Sequence, residues 1–417
     1  MVLGLAWLGV ATAMLALSPG VLALPHAAPA VVALTHAWVL GVFVSVATGA
    51  IYQIAPVALG TTLWRDRLGW WHFFLQSVSV PGMVVAFTRW DMALLVPFAL
   101  AFAVGIGLFA VNTWKTVRNS GRRDAVAWSL QLAALWLLIT VWVGIVAAAN
   151  RLWYFLPLDP ILLLRTHAHL GLGGFFLTLL QGVTFRLVPM FTLGDVPDWR
   201  PVRQGLWMSQ VGLVTLAPAL LLHWNLLACF SAVLVLAGLI ASGHAFRRTL
   251  STRKKRLLDP GLRAFLAGCS ALLLAPILGL LLLWPASSWG SSAGGYGAMP
   301  YAVALLAGGL LPVIAGMLCK VIPFLTWMIA YGPRVGRMPT PAAGALAFPS
   351  LETSALGLQG VAVVPLFMGA WTQEPWLLHL GSWLLAAGVA LFVGHAGLVL
   401  RHLWAPRSPT RLQHPKP

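Results

Sequence analysis

The stretch RTHAHLGLGGFFLTLLQGVTFRLVPMF, residues 165–191, decides how the chain reads. Two histidines two positions apart open an apolar run longer than the ~20 residues needed to cross a bilayer. A worn copy stands upstream as THAWVLGVFVSVATGAIYQIAPV, residues 35–57. His36, Gly49 and Pro56 keep the same spacing as His169, Gly182 and Pro189. A third copy runs from Val303 through Gly316 to Pro323, again with that spacing but with the histidine replaced. The position four beyond each glycine is polar: Gln53, Arg186 and Lys320. Each copy follows the one before by close to a third of the chain. Such a period marks a repeat architecture. A second alignment, on the tripeptide Thr-His-Ala (Thr35–Ala37, Thr166–Ala168), pairs His36 with His167 instead; the Gly and Pro spacing favours His169.

At about 1.5 Å per residue, the ~20 residues from histidine to proline cover ~30 Å, one hydrocarbon thickness. Each histidine therefore belongs near one membrane face and each proline near the other. Arg186 and Lys320 fall where a long basic side chain snorkels to the headgroups.

The rest of the sequence agrees. Hydrophobic residues make up 60% of it and charged residues only 8%, against roughly 25% charged in soluble domains. Mean hydropathy is +0.88, and a water-soluble globule could not hide that much apolar surface. The expectation is an all-α integral membrane protein. About twelve transmembrane helices would fall at 3–24, 31–58, 71–88, 92–113, 125–149, 162–190, 205–223, 226–246, 264–285, 299–330, 357–373 and 377–401. With the repeat, these form three pseudo-symmetric four-helix arcs (about 1–124, 125–262 and 263–405) of one membrane domain, followed by a cytoplasmic tail at 406–417. The first span ends in VLALPHAAPA, which leaves a cleaved signal peptide open alongside a retained helix.

The net charge of +17 is unevenly placed. With the N-terminus in the cytoplasm, only Arg89, Arg151 and Arg165 of the 26 Lys+Arg fall outside. That positive-inside bias puts both termini in the cytoplasm of a bacterial-type inner membrane. It also makes RRTLSTRKKR a topology signal on an anionic leaflet and not a nucleic-acid patch. Cys229, Cys269 and Cys319 lie in apolar segments with no disulfide or metal spacing and read as small buried hydrophobes. All nine Asp+Glu fall in loops or at span ends, which argues against proton pumping and against a typical secondary transporter.

Twelve helices in three arcs, with histidines near the outer ends of spans two and six, resemble subunit I of the heme-copper oxidase superfamily. The local likeness is to the sixth helix of C-family (cbb-type) oxidases. In that helix Gly-Phe-Phe-Leu-Thr closely follows a histidine, as Gly174–Thr178 follows His169 here, shifted by one residue. The His-Ala-His opening is also similar to NnrS-type heme and copper membrane proteins linked to nitric oxide. The likeness covers the chain in span count and about three helices in residues. The resemblance implies a tenth helix whose two histidines bind two hemes, yet the matching positions are Tyr301 and Val303. It implies a His-His copper pair in the seventh helix, where only His223 stands. The ligand set of a standard terminal oxidase is broken.

Residues two apart on a helix point about 200° apart, so His167 and His169 face different sides. The resulting expectation pairs His36 with His169 on a bis-histidine heme b. His167 would face a second cavity with His223 and Tyr301, holding another heme or a copper ion. Imidazole suits iron and copper alike. Arg151 and Arg165 flank the site, either for heme propionates or as caps at the headgroups. Trp38, Trp153 and Tyr154 read as interfacial aromatics. His26, His379, His244 and His402 read as ordinary helix-end histidines, and His395 sits deeper in the last span.

Three readings follow. One is a heme-bearing oxidoreductase, cytochrome c oxidase-like or NO-related, with the lipid bilayer and cytochrome c or other subunits as partners. The second is a heme or copper transport or assembly protein. The third is a cofactor-free scaffold subunit of a membrane complex.

Overall fold

The computed structural model describes residues 1–195, 198–283, 297–337 and 339–404. The tail at 406–417 and most of the Gly/Ser-rich 286–298 segment lie outside the described residues. What is described is helical, with no strand among the described residues.

Among the described residues, twelve long helices follow one another: α1 Val2–Leu17, α2 Pro29–Leu59, α3 Asp66–Arg89, α4 Met92–Asn119, α5 Ala125–Trp153, α6 Pro160–Thr192, α7 Trp199–Leu221, α8 Asn225–Ser251, α9 Pro260–Leu283, α10 Ala298–Ala330, α11 Pro349–Thr372 and α12 Pro375–Leu400. Among the described residues nine of them are long and apolar enough to cross a membrane; α1, α3 and α7 are not among the nine. The protein is thus a multi-pass, all-α membrane protein whose apolar helices meet lipid.

Acidic residues start the helices. Asp91, Asp124, Asp159, Asp198 and Asp259 each accept a backbone N–H of the first turn, at 2.7–3.0 Å. Such caps contribute ~1 kcal/mol each, which accounts for five of the nine acidic residues by local structure alone. α11 and α12 instead begin on Pro349 and Pro375, where the missing N–H is no loss.

The three repeated helices are the buried ones. Of their most apolar windows, 67%, 61% and 61% are buried for α2, α6 and α10, against 11–39% for the other six candidate spans. Each contains a π-helical segment: Ala37–Val44, Leu170–Leu177 and Ala304–Leu310. The segments begin at the positions directly after His36, His169 and Val303, so they recur with the repeat. A π segment leaves carbonyls out of the α ladder, and buried carbonyls need partners. In α2 the carbonyl of Leu40 accepts Ser45 Oγ at 3.1 Å and Gln76 Nε2 at 3.3 Å, and Gln76 also donates to Ser45 Oγ at 2.9 Å. In α6 the carbonyl of Gly173 accepts Thr178 Oγ1 at 3.5 Å, and Gln210 Nε2 donates to that hydroxyl at 2.9 Å. Gln76, Gln210 and Gln359 stand at matching depths in α3, α7 and α11. The third copy has Pro312 in place of the hydroxyl, and Gln359 donates to Gly388 O at 3.4 Å.

The repeated glycines are contact points. A Cβ on Gly49 would meet the Met1 nitrogen at 2.9 Å, one on Gly182 would meet Ser129 Oγ and Ala125 O, and one on Gly316 would meet Gly261 O and Phe265 N. Helix α6 therefore lies against the start of α5, and α10 against the start of α9, at backbone distance.

The described residues form two compact units. The first holds α2–α8 and the start of α1; the second holds most of α1, the first half of α9, and α10–α12. In the first unit Trp136, Leu170, Leu213, Val235 and Leu239 make a core joining α5, α6, α7 and α8. Trp136 Nε1 donates to Gln210 Oε1 at 2.7 Å, tying that core to the Thr178 bond.

One acidic residue at an expected span end is buried there. Helix α11 begins at Pro349, not near residue 357, so Glu352 lies in its first turn and is only 3% exposed. The polar run Ser350–Ser354 lowers the hydropathy there, but a proline start and a buried face still make it helix.

Candidate functional site

His36 and His169 are equivalent in local structure. Each is the last α-helical residue before a π segment, with φ −70° and ψ −33°. Each ring places Nδ1 2.8 Å from the carbonyl four residues back, Val32 O and Arg165 O. The Gly and Pro spacing thus gives the correct equivalence, with Val303 the third member.

Equivalence is not contact. The ring facing His36 is that of His167, with centroids 6.2 Å apart and planes 17° from parallel. The ring contact of His36 with a histidine is therefore with His167, where the sequence expectation pairs it with His169. Helix geometry is the reason: positions two apart lie about 200° apart around the axis, so if His167 faces α2, His169 points away from it.

The His36–His167 pair is held on several sides, all within the first unit. Phe87, near the end of α3, lies 4.3 Å from the His36 ring at 32°. His167 Nδ1 lies 3.0 Å from the carbonyl of Thr140 on α5. One turn further along α5, Gly144 leaves space for the ring; a Cβ there would come within 2.8 Å of His167 Cε1 and 3.2 Å of Nδ1. A carbonyl oxygen only accepts, so Nδ1 donates in His36, His167 and His169 alike. In each neutral ring the lone pair is then on Nε2. A backbone carbonyl on Nδ1 is also the arrangement that orients metal-binding imidazoles.

The remaining candidates are more dispersed. Arg151 is exposed at the end of α5, its guanidinium 5.2 Å over the Trp90 ring. Arg165 is exposed on α6 and lends its carbonyl to His169. His223 occupies the exposed turn between α7 and α8 in left-handed conformation, φ 55°, and shares no hydrogen bond, ion pair or ring contact with His167. Tyr301 lies at the start of α10, in the second unit. Trp153 and Tyr154 are 67% and 84% exposed, as interfacial aromatics should be. Trp38 is not one of them: it is buried, with its ring 5.9 Å from Phe43. Among the described residues, no group of three or more His, Cys, Asp or Glu side chains is placed to hold a metal ion.

Phe87, Thr140 and Gly144 carried no sequence signal of their own. Gly144 could have been found only as a lone glycine in an otherwise bulky apolar helix.

No protein-family model matches the chain, and no curated protein matches it.

Proposed function

We propose that this chain is a multi-pass redox protein of the heme-copper oxidase subunit I plan, in which His36 and His167 hold a heme b iron between α2 and α6. The observation that carries the proposal is the near-parallel imidazole pair. Two imidazoles that each bind one metal through Nε2 at about 2 Å have ring centroids about 6 Å apart, and the centroids of His36 and His167 are 6.2 Å apart. Two side-chain donors suit a group that brings four nitrogens of its own better than a bare copper ion, which takes more from the protein. Bound heme would supply one-electron chemistry, for electron transfer or for reaction with O2 or NO.

The chain's own residues do the rest. The carbonyls of Val32 and Thr140 orient the two rings, and Phe87 and Gly144 fix their positions. Arg151 and Arg165 are the cations available for propionates. In this reading the twelve helices form three arcs in a bacterial-type inner membrane with both termini cytoplasmic, and cytochrome c or other subunits of a membrane redox complex exchange electrons with it. His223 and Tyr301 are assigned no role.

The test is a reduced-minus-oxidised absorption spectrum of the purified full-length protein beside His36→Ala, His167→Ala and His169→Ala. A low-spin b-type spectrum lost in the first two and kept in the third supports the assignment. Loss in His169→Ala with retention in His167→Ala returns the site to the pairing of equivalent residues. A colourless protein after expression with ample heme removes the heme altogether and leaves copper handling or a scaffold role.

A further inference from the structure

The second unit contains a cluster of titratable side chains at the ends of α10, α11 and α12 where the arginine- and lysine-rich segments lie. Glu352 is its centre. It is the one buried carboxyl group of the nine Asp+Glu, at 3% exposed. One of its oxygens, Oε1, has no hydrogen-bond partner. The groups facing the carboxyl come from every neighbouring element. Lys320 and Cys319 come from α10, Asp259 from the cap of α9, and His395 from α12, its Nε2 3.6 Å from Oε1. The Cys319 thiol hydrogen-bonds the same carboxyl. Lys320 is ion-paired with Asp259, so it does not snorkel freely.

The proton inventory of this cluster is what points to a function. The backbone N–H of Phe348 donates to His395 Nε2 at 3.2 Å. That nitrogen therefore presents a lone pair, and its proton is on Nδ1. An imidazolium would set an Nε2–H against the Phe348 N–H, so the amide disfavours a charged His395. An ionised Glu352 would then place a second lone pair against the first in a site almost without water, which is costly. A proton on the carboxyl removes that negative charge; it stays on Glu352, because the one lone pair of Nε2 already accepts the Phe348 N–H and lies 3.6 Å from Oε1. The way out is short: Lys320 and Asp259 adjoin the carboxyl and retain 20% and 18% side-chain exposure.

We infer that Glu352 is a buried proton-binding site beside His395, in which the Glu352 carboxyl carries a proton and exchanges it with the adjacent aqueous phase past Lys320 and Asp259. In exchange the carboxyl O–H bond breaks, the proton leaves to water, and the carboxylate is held by Lys320 and the Cys319 thiol until a proton returns. No electron moves, and no heme is required, so this site stands or falls separately from the histidine pair of the first unit.

Infrared spectroscopy of the full-length protein in detergent tests it. The carbonyl stretch of a protonated carboxylic acid should be present at neutral pH, shift in D2O, and disappear on alkaline titration. Glu352→Gln should lose one carboxyl's worth of this band, and His395→Phe should shift its frequency by removing the neighbouring imidazole dipole. Absence of the band from the wild-type protein at neutral pH overturns the inference, as does its full survival in Glu352→Gln. Should Glu352→Gln fail to fold, the wild-type titration and the His395→Phe shift decide; an unshifted band in His395→Phe overturns the placement beside His395.

Discussion

Gln76 and Gln210 make the same bond in successive copies of the repeat: each donates Nε2 at 2.9 Å to the hydroxyl that satisfies a carbonyl of its copy's π segment. Gln210 also accepts Trp136 Nε1, so it closes a chain of buried donors and acceptors across three helices. Gln359 stands at the corresponding place without a hydroxyl, and its Oε1 has no partner. Gln210→Leu should therefore destabilise the protein by ~2 kcal/mol or more, from the orphaned Trp136 N–H and the lost bond to the Thr178 hydroxyl. Gln359→Leu should cost less than ~1 kcal/mol, because it removes an unsatisfied acceptor along with one long bond. Thermal unfolding in detergent compares them, and equal losses would sink the distinction.

Gly144→Ala puts a methyl group into the His167 ring. Overpacking of this kind costs ~1–3 kcal/mol unless the neighbour moves. Here the movable neighbour is His167 itself, so the ring should leave its position opposite His36. Bound heme per protein should fall at least several-fold, with a smaller effect from Gly107→Ala, where a Cβ meets nothing within 4 Å. Unchanged heme content would mean that Gly144 does not set the position of His167.

Gly182→Ala should destabilise the α5–α6 contact by a similar ~1–3 kcal/mol, since its Cβ would meet Ser129 and Ala125 O. The closest clash is with the Ser129 side chain, so Ser129→Gly should recover part of the loss in the double variant, the contact with Ala125 O remaining. A double-mutant cycle reads this coupling directly; strict additivity would show that the two helices do not meet there.

Lys320→Met leaves Asp259 without its cation and takes a positive charge from beside Glu352. Removing one partner of a fully buried pair costs ~3–5 kcal/mol, and the partial exposure here argues for ~2 kcal/mol. Asp259→Asn added to Lys320→Met should restore part of it. If Lys320→Met unfolds at the wild-type temperature, the ion pair is irrelevant to stability.

The repeat, the helical class and the position of the histidines were legible because each rests on spacing. A recurring interval between His, Gly and Pro needs no structure to be seen. Which histidine faces His36 was not legible, because it depends on how α6 is turned about its own axis, around which His167 and His169 lie about 200° apart. The π segments were also hidden: one more residue per turn alters the phase of a helix without changing its hydropathy. Glu352 escaped because a hydropathy window closes where polar residues begin, whereas Pro349 starts the helix two turns earlier. The caps at Asp124 and Asp259 follow the opposite pattern, since an aspartate at the head of an apolar run is a signal that composition alone displays.

The π segment of α10 has lost both features that accompany the other two, since Val303 replaces the histidine and Pro312 the hydroxyl. It persists all the same, at the matching position. A histidine at its head and a hydroxyl at its end are therefore not what the widened turn needs. The bulge belongs to the course of the buried helix, and the side chain at its head is a separate choice, free to differ from one repeated helix to the next.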